Sequence, residues 1–215
     1  VLLARSRSLV TCAAAAAVLA AGVLVGSGCN REQTTPPPTA TGVETPDLGL
    51  PRSLMTARRQ CMGTECEIKA WHYDKELFER AAARGFDALA RIEGLTTSWR
   101  DSSDISRINA NAGVVAMPVS RDTMSVIKKG LWVAELSDGA FDITVGVFRG
   151  LWKFDEDNDG TIPKRKDVQR RLALVNYRDV IIDEAQSTVK LRRIGQRLNV
   201  EGLAKGFAVD AAVQM

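Results

Sequence analysis

Two glycine-bearing stretches carry the residues whose types and spacing can do chemistry. The first runs Asp138-Gly-Ala-Phe-Asp-Ile-Thr-Val-Gly146 and is followed by Gly150-Leu-Trp152. A turn at Asp138-Gly139, with small Ala140 beside it, leaves backbone N–H groups open to a flat ring or a phosphate. Asp142 follows the turn, where a carboxylate can accept from a ligand, help hold a cation, or simply cap the chain. The second stretch, Arg197-Leu-Asn-Val200 into Glu201-Gly-Leu-Ala-Lys-Gly-Phe-Ala-Val-Asp210, reads as strand, glycine-containing turn and helix. Free N–H groups and a positive helix end, with Lys205 as a mobile cation, suit a phosphate or pyrophosphate. The order of residues is neither that of a P-loop nor that of a dinucleotide G-x-G-x-x-G fingerprint. His72 is the only histidine in the chain, and with nothing nearby to orient it, it reads as a surface residue rather than a catalyst.

The elements that must position these stretches follow from periodicity. Gln60 to Trp71 alternates as one first strand, with Met62-Gly63-Thr64 an irregularity within it. Cys61 and Cys66 can pair in an oxidising compartment, but in a single extended strand their spacing puts them on opposite faces. From Asp74, an N-cap residue, the apolar positions Phe78, Ala82, Phe86, Leu89, Ile92 and Leu95 recur every three or four residues, predicting an amphipathic helix of about six turns. Thr96 to Asp101 ends it, and Trp99 in that polar loop either covers a ligand or folds back on the core. A short helix from Asp101–Asp104 contains Ile105, Ile108 and Asn109. A second long helix runs from Arg121 to about Leu136, closed by Ser137-Asp138-Gly139. In the first glycine stretch Phe141, Ile143 and Val145 alternate with Asp142 and Thr144, the pattern of a half-buried strand. Asp155-Glu-Asp-Asn-Asp-Gly160 matches the front of an EF-hand loop, but Lys166 stands where a bidentate Glu is needed, so it reads as an acidic surface loop. Pro163 opens a basic helix to about Leu174, and Val180–Ile182 with Val189–Leu191 form a hairpin.

Charge excludes one class of function. A net charge of +3, with 26% charged residues over 215 positions, comes with scattered Lys and Arg and no aromatic-interleaved basic stripe. That argues against nucleic-acid binding, and the cluster Lys164–Arg171 reads as the wet face of a helix. At the N-terminus Arg5 and Arg7 precede an apolar run from Leu9 to Val25, then Gly26-Ser-Gly-Cys29. Basic region, apolar region and small residues before a cut make a secretory signal over residues 1–28, with Cys29 as a lipidated N-terminus. Residues 29–59, rich in Thr, Pro and Gly near their start, predict a flexible, disordered linker. The expected localisation is an exported, lipid-anchored protein facing the periplasm.

Taken in order, Met62-Gly-Thr64, Ser98-Trp99, Asp104-Ile-Ser-Arg-Ile-Asn109, Gly139–Gly146, Leu151-Trp152 and Gly202–Asp210 resemble the ApbE family of FAD:protein FMN transferases. The resemblance implies an α+β domain over residues 60–215, with a mixed or antiparallel sheet and packed helices. It implies FAD in a cleft, Mg²⁺ on the pyrophosphate, and transfer of FMN to a Thr or Ser hydroxyl of a client flavoprotein with release of AMP. Clients of that kind are subunits of respiratory electron-transfer complexes of the Nqr and Rnf types. Carried over by motif, Met62 and Trp99 line the flavin or adenine site, Ala140, Phe141 and Asp142 contact FAD around the turn, Lys205 is a further FAD contact, and Gly202 offers its carbonyl to the metal. Asn199 stands at a cofactor position where many members carry Asp, and Glu201 where the residue is often small. The resemblance also implies that the main acidic and Thr metal ligands and a catalytic His lie beyond Met215. The chain therefore reads as part of a longer protein. The alternative is a non-enzymatic FAD-binding or assembly lipoprotein.

Overall fold

The computed structural model describes residues 49, 51–152 and 160–215. The expected signal, Cys29, most of the linker and the acidic run Asp155–Asp159 lie outside the described residues. Folded structure begins earlier than the expected linker boundary. Strands β1 (Ser53–Cys61) and β2 (Thr64–His72) form an antiparallel hairpin in which Cys61 faces Thr64. The two-residue turn is Met62-Gly63, both at positive φ (51° and 73°), the handedness that matches the twist of the flanking strands. What alternates from Gln60 to Trp71 is therefore the end of one strand and the whole of the next. Reversal of the chain also settles the cysteines. Cys66 lies opposite Arg59, two residues along the strand from Cys61 and so on the same face, and the two cysteines form a disulfide across the hairpin with Cα atoms 6.0 Å apart.

Helix α1 (Lys75–Thr96) is capped by Asp74, whose side chain accepts from the Leu77 N–H at 2.9 Å. It buries Phe78, Ala82, Phe86, Leu89 and Ile92. This stripe packs against Met55, Ala57 and Ile68 of the hairpin, and against Phe207, Ala208, Ala211 and Ala212. The latter four belong to the last helix, α5 (Glu201–Val213).

A second core lies beneath a three-stranded antiparallel sheet. Its order is β3 (Met117–Pro118), β5 (Thr188–Leu191), β4 (Val180–Asp183). Helices α2 (Asp104–Ala110) and α3 (Arg121–Leu136) supply Ile105, Ile108, Met124, Val126 and Ile127 to it. Asp104 ties the two together, accepting from the Ser120 backbone N–H (2.8 Å) and pairing with Arg107. Leu136, at the α3 end, is 73% exposed. The basic helix α4 (Arg165–Leu172) buries none of its residues. Among the described residues, no helix is long and apolar enough to cross a membrane.

The first glycine stretch is not a strand. From Ser137 it forms turns leading to a 3-10 turn at Gly146–Phe148, and its burial does not alternate. Asp142 (7%), Ile143 (0%) and Thr144 (0%) are all buried, while Val145 is 43% exposed. Nor does Arg197–Val200 form a ladder. It is joined to the turn by a parallel bridge, Val145 to Arg197, and by the Asn199 N–H donating to the Ile143 carbonyl at 2.8 Å. Gly146 permits this close approach, since a Cβ there stands 2.6 Å from the Leu198 carbonyl.

Candidate active site

A cleft of about 620 Å³ opens where three pieces of chain converge. The hairpin turn supplies Met62 and Gly63, the end of α1 and the following loop supply Glu93, Thr96, Thr97, Trp99 and Arg100, and the first turns of α5 supply Glu201, Gly202, Ala204 and Lys205. Of the residues singled out from the sequence, Met62, Trp99, Gly202 and Lys205 meet here, although they span most of the folded chain.

Each wall has a local reason for its position. Glu93 accepts from the Met62 N–H at 3.0 Å, so a carboxylate on α1 fixes the hairpin turn at the cleft edge. Glu93 and Arg100 escaped the sequence reading, because in an amphipathic helix and a polar loop they look like ordinary surface charges. Trp99 is 70% exposed, which resolves the choice left open by its polar loop: it does not fold back on the core. Its loop is pinned by the Ser103 hydroxyl donating to the Thr97 carbonyl at 2.5 Å. The Arg149 guanidinium donates to the Ser98 carbonyl and lies over the Trp99 ring, 4.0 Å from its centre, an attractive arrangement for a cation on an aromatic face.

The start of α5 is set by two amides. Asn109 on α2 clamps Leu198, donating to its carbonyl (3.0 Å) and accepting from its N–H (2.6 Å). Asn199 accepts from the Glu201 N–H at 2.8 Å, a local turn leading into the helix that presents Gly202 and Lys205, and so serves as a positioning group. The Ser98 hydroxyl donates to Glu201 across the cleft at 3.3 Å.

Ala140, Phe141 and Asp142 stand differently, and none of the three lines this cleft. Ala140 is exposed. Phe141 reaches the α5 start, its ring 3.7 Å from where a Cβ on Gly202 stands. Asp142 is turned inward: one oxygen accepts from the Thr144 N–H (2.7 Å) and hydroxyl (2.6 Å), the other from the Tyr177 N–H (2.8 Å). The Thr144 hydroxyl accepts in turn from the Asn176 N–H at 2.8 Å. Asp142 therefore staples the turn to the segment before β4. His72 lies outside the cleft, its Nδ1 accepting from the Asp74 N–H at 2.9 Å.

The ionised groups around the cleft balance, Glu93 and Glu201 against Arg100 and Lys205. A dianionic pyrophosphate entering it brings charge that this set does not neutralise, a deficit of the kind a divalent cation fills. Among the described residues, however, no group of three His, Cys, Asp or Glu side chains converges to hold a metal. Gly202 and Glu201 alone do not make a metal site.

The sequence profile of the ApbE family matches residues 62–215. An FAD:protein FMN transferase of Klebsiella pneumoniae is 31% identical over 149 residues, covering 69% of this chain and 46% of the relative. One of Treponema pallidum is 28% identical over 160 residues, covering 72% of this chain and 44% of the relative. Among solved structures, the ApbE protein of Thermotoga maritima superposes with a TM-score of 0.67 at 27% identity, over 75% of this chain and 52% of that one. The Vibrio cholerae flavin transferase ApbE, at 23% identity and a TM-score of 0.68, shares the fold. The chain spans about half the length of the relatives it matches.

Proposed function

This chain belongs to the ApbE family, and from that premise we propose that it forms the FAD-binding half of an FAD:protein FMN transferase. The observation that carries the proposal is the convergence of Met62, Trp99, Gly202 and Lys205 on one cleft. The exposed Trp99 face offers a stacking surface for a flat ring. The positive end of α5 and the Lys205 ammonium offer favourable charge to phosphate oxygens. Glu93 and Asn199 act by holding the turn and the helix in place, which lowers the cost of ordering the site when ligand binds.

The reaction is a phosphoryl-type displacement. The oxygen of a client Thr or Ser hydroxyl bonds to the phosphorus nearer riboflavin, the P–O bond to the bridging oxygen breaks, and AMP leaves with that oxygen. The hydroxyl proton passes to a base. Magnesium, expected from the family resemblance, supplies charge neutralisation on the pyrophosphate. The described residues do not gather a ligand set for it, so their assigned work is binding and orientation. Export, lipidation at Cys29, a periplasmic location and clients in Nqr- or Rnf-type complexes belong to the same proposal and rest on the sequence.

The test is to incubate the protein with FAD, Mg²⁺ and a client flavoprotein subunit, then weigh the client by mass spectrometry. The expected result is an FMN adduct on a hydroxyl residue with stoichiometric AMP. AMP release with no adduct means FAD hydrolysis instead, and FAD binding without AMP means a non-enzymatic flavin-binding role.

A further inference from the structure

A second cleft, of about 530 Å³, holds Arg149, Arg171 and Arg197 over an apolar lining that includes Val147 and Leu174. Among the described residues, no carboxylate lines it. Gathering three guanidinium groups in one concavity is unfavourable without a counter-charge, and the signs of that cost are present. Arg197 has its pKa lowered, first by burial and then by the neighbouring charge of Arg149. Two of the three groups are held in place by backbone. Arg171 donates to the carbonyls of Val147 (2.9 Å) and Arg149 (2.8 Å), and Arg149 donates to that of Ser98. Among the described residues, no hydrogen-bond acceptor or carboxylate pairs with the Arg197 guanidinium.

We propose that the Arg149–Arg171–Arg197 cleft is a second binding site, separate from the flavin cleft, for a phosphate-class oxyanion. Guanidinium groups present paired N–H donors that match phosphate oxygens two at a time. Three of them suit a phosphate or diphosphate group better than a single carboxylate. The inference does not depend on flavin transfer, because the site and its ligand are defined without FAD. The two clefts meet at one residue: Arg149 lines the arginine cleft and also lies 4.0 Å from the centre of the Trp99 ring in the flavin cleft. Occupancy of one is therefore felt at the aromatic wall of the other.

Inorganic pyrophosphate is the probe, titrated calorimetrically into the full chain at low salt. Because Asp155, Glu156, Asp157 and Asp159 are acidic residues close by in sequence, the titration is also run on a variant carrying amides at those four positions. The expected result is salt-sensitive binding in at least one of the two backgrounds, weakened about tenfold or more by Arg197→Gln, the loss of a charge-assisted pair of hydrogen bonds. Lys205→Ala leaves it unchanged, and pyrophosphate alters tryptophan emission in the wild type but not in Trp99→Phe. Absence of binding in both backgrounds overturns the proposal. So does binding that Arg197→Gln leaves intact, or binding that Lys205→Ala abolishes, which places the anion in the flavin cleft.

Discussion

Replacing Asp142 separates two roles that a carboxylate after a glycine turn can have. Its two oxygens accept three hydrogen bonds, from the Thr144 N–H, the Thr144 hydroxyl and the Tyr177 N–H, and its side chain is buried. In Asp142→Ala the backbone donors of Thr144 and Tyr177 lose their acceptors inside the fold. Each stranded donor costs about 1–3 kcal/mol, so the two together cost about 2–6 kcal/mol. Asp142→Asn keeps one oxygen but turns an NH₂ group toward a donor, and costs roughly half as much. Urea unfolding followed by circular dichroism reads this directly. With a slope of about 2 kcal/mol per molar urea, the alanine variant's midpoint falls by about 1–3 M. FAD affinity falls with it, because the turn that sets Phe141 against the α5 start is no longer stapled to the segment before β4. A variant that loses FAD binding while its midpoint moves by less than about 0.5 M refutes the reasoning, and makes Asp142 a direct ligand of the flavin nucleotide.

Other consequences follow from the same contacts. Gly146→Ala places a Cβ 2.6 Å from the Leu198 carbonyl, and is expected to cost about 2–4 kcal/mol by forcing two backbone segments apart; the check is thermal unfolding beside a Gly206→Ala control, where a Cβ meets open space. Removing the Cys61–Cys66 disulfide frees a six-residue loop and costs about 2 kcal/mol in the chain-entropy model, read as a midpoint shift between Cys61→Ser/Cys66→Ser and the oxidised parent. Asp104 is opposed by burial, which raises its pKa, yet the Ser120 N–H, Arg107 and the hydroxyls of Thr123 and Ser120 together bring it below the ordinary value of 3.8. With the folded pKa depressed, its stabilisation is present above the unfolded value and is lost as pH falls through the folded one. Asp104→Asn is therefore expected to flatten the loss of stability between about pH 5 and pH 2, and an unchanged acid limb contradicts this.

Much of the fold is legible in the chain because burial there follows the periodicity. The stripe from Phe78 to Ile92 and the Asp74 cap mark α1 to within a residue, and the limits expected for α3 match Arg121–Leu136. The β4–β5 hairpin shows through the polar residues between Asp183 and Thr188. Two stretches mislead for physical reasons. Ser53–Cys61 is polar and half-exposed, so it looks like linker, and its strand character comes from pairing with β2 rather than from its own pattern. Phe141 to Val145 alternates like a strand, but Asp142 and Thr144 go inward because they satisfy backbone donors that no ladder reaches. The site was partly visible. Met62, Trp99, Gly202 and Lys205 carry recognisable neighbours in sequence, whereas Glu93 matters through a single hydrogen bond to a residue 31 positions away, which no local pattern announces.

The measurement that tests the central claim most directly is a calorimetric titration of FAD into the chain, its Trp99→Ala and Lys205→Ala variants alongside, with and without Mg²⁺. The account predicts saturable binding by the parent chain, weakened about tenfold or more in each variant by loss of a stacking face or of a charge-assisted contact. A folded chain that binds no FAD, or binds it equally well in both variants, contradicts the assignment of this cleft.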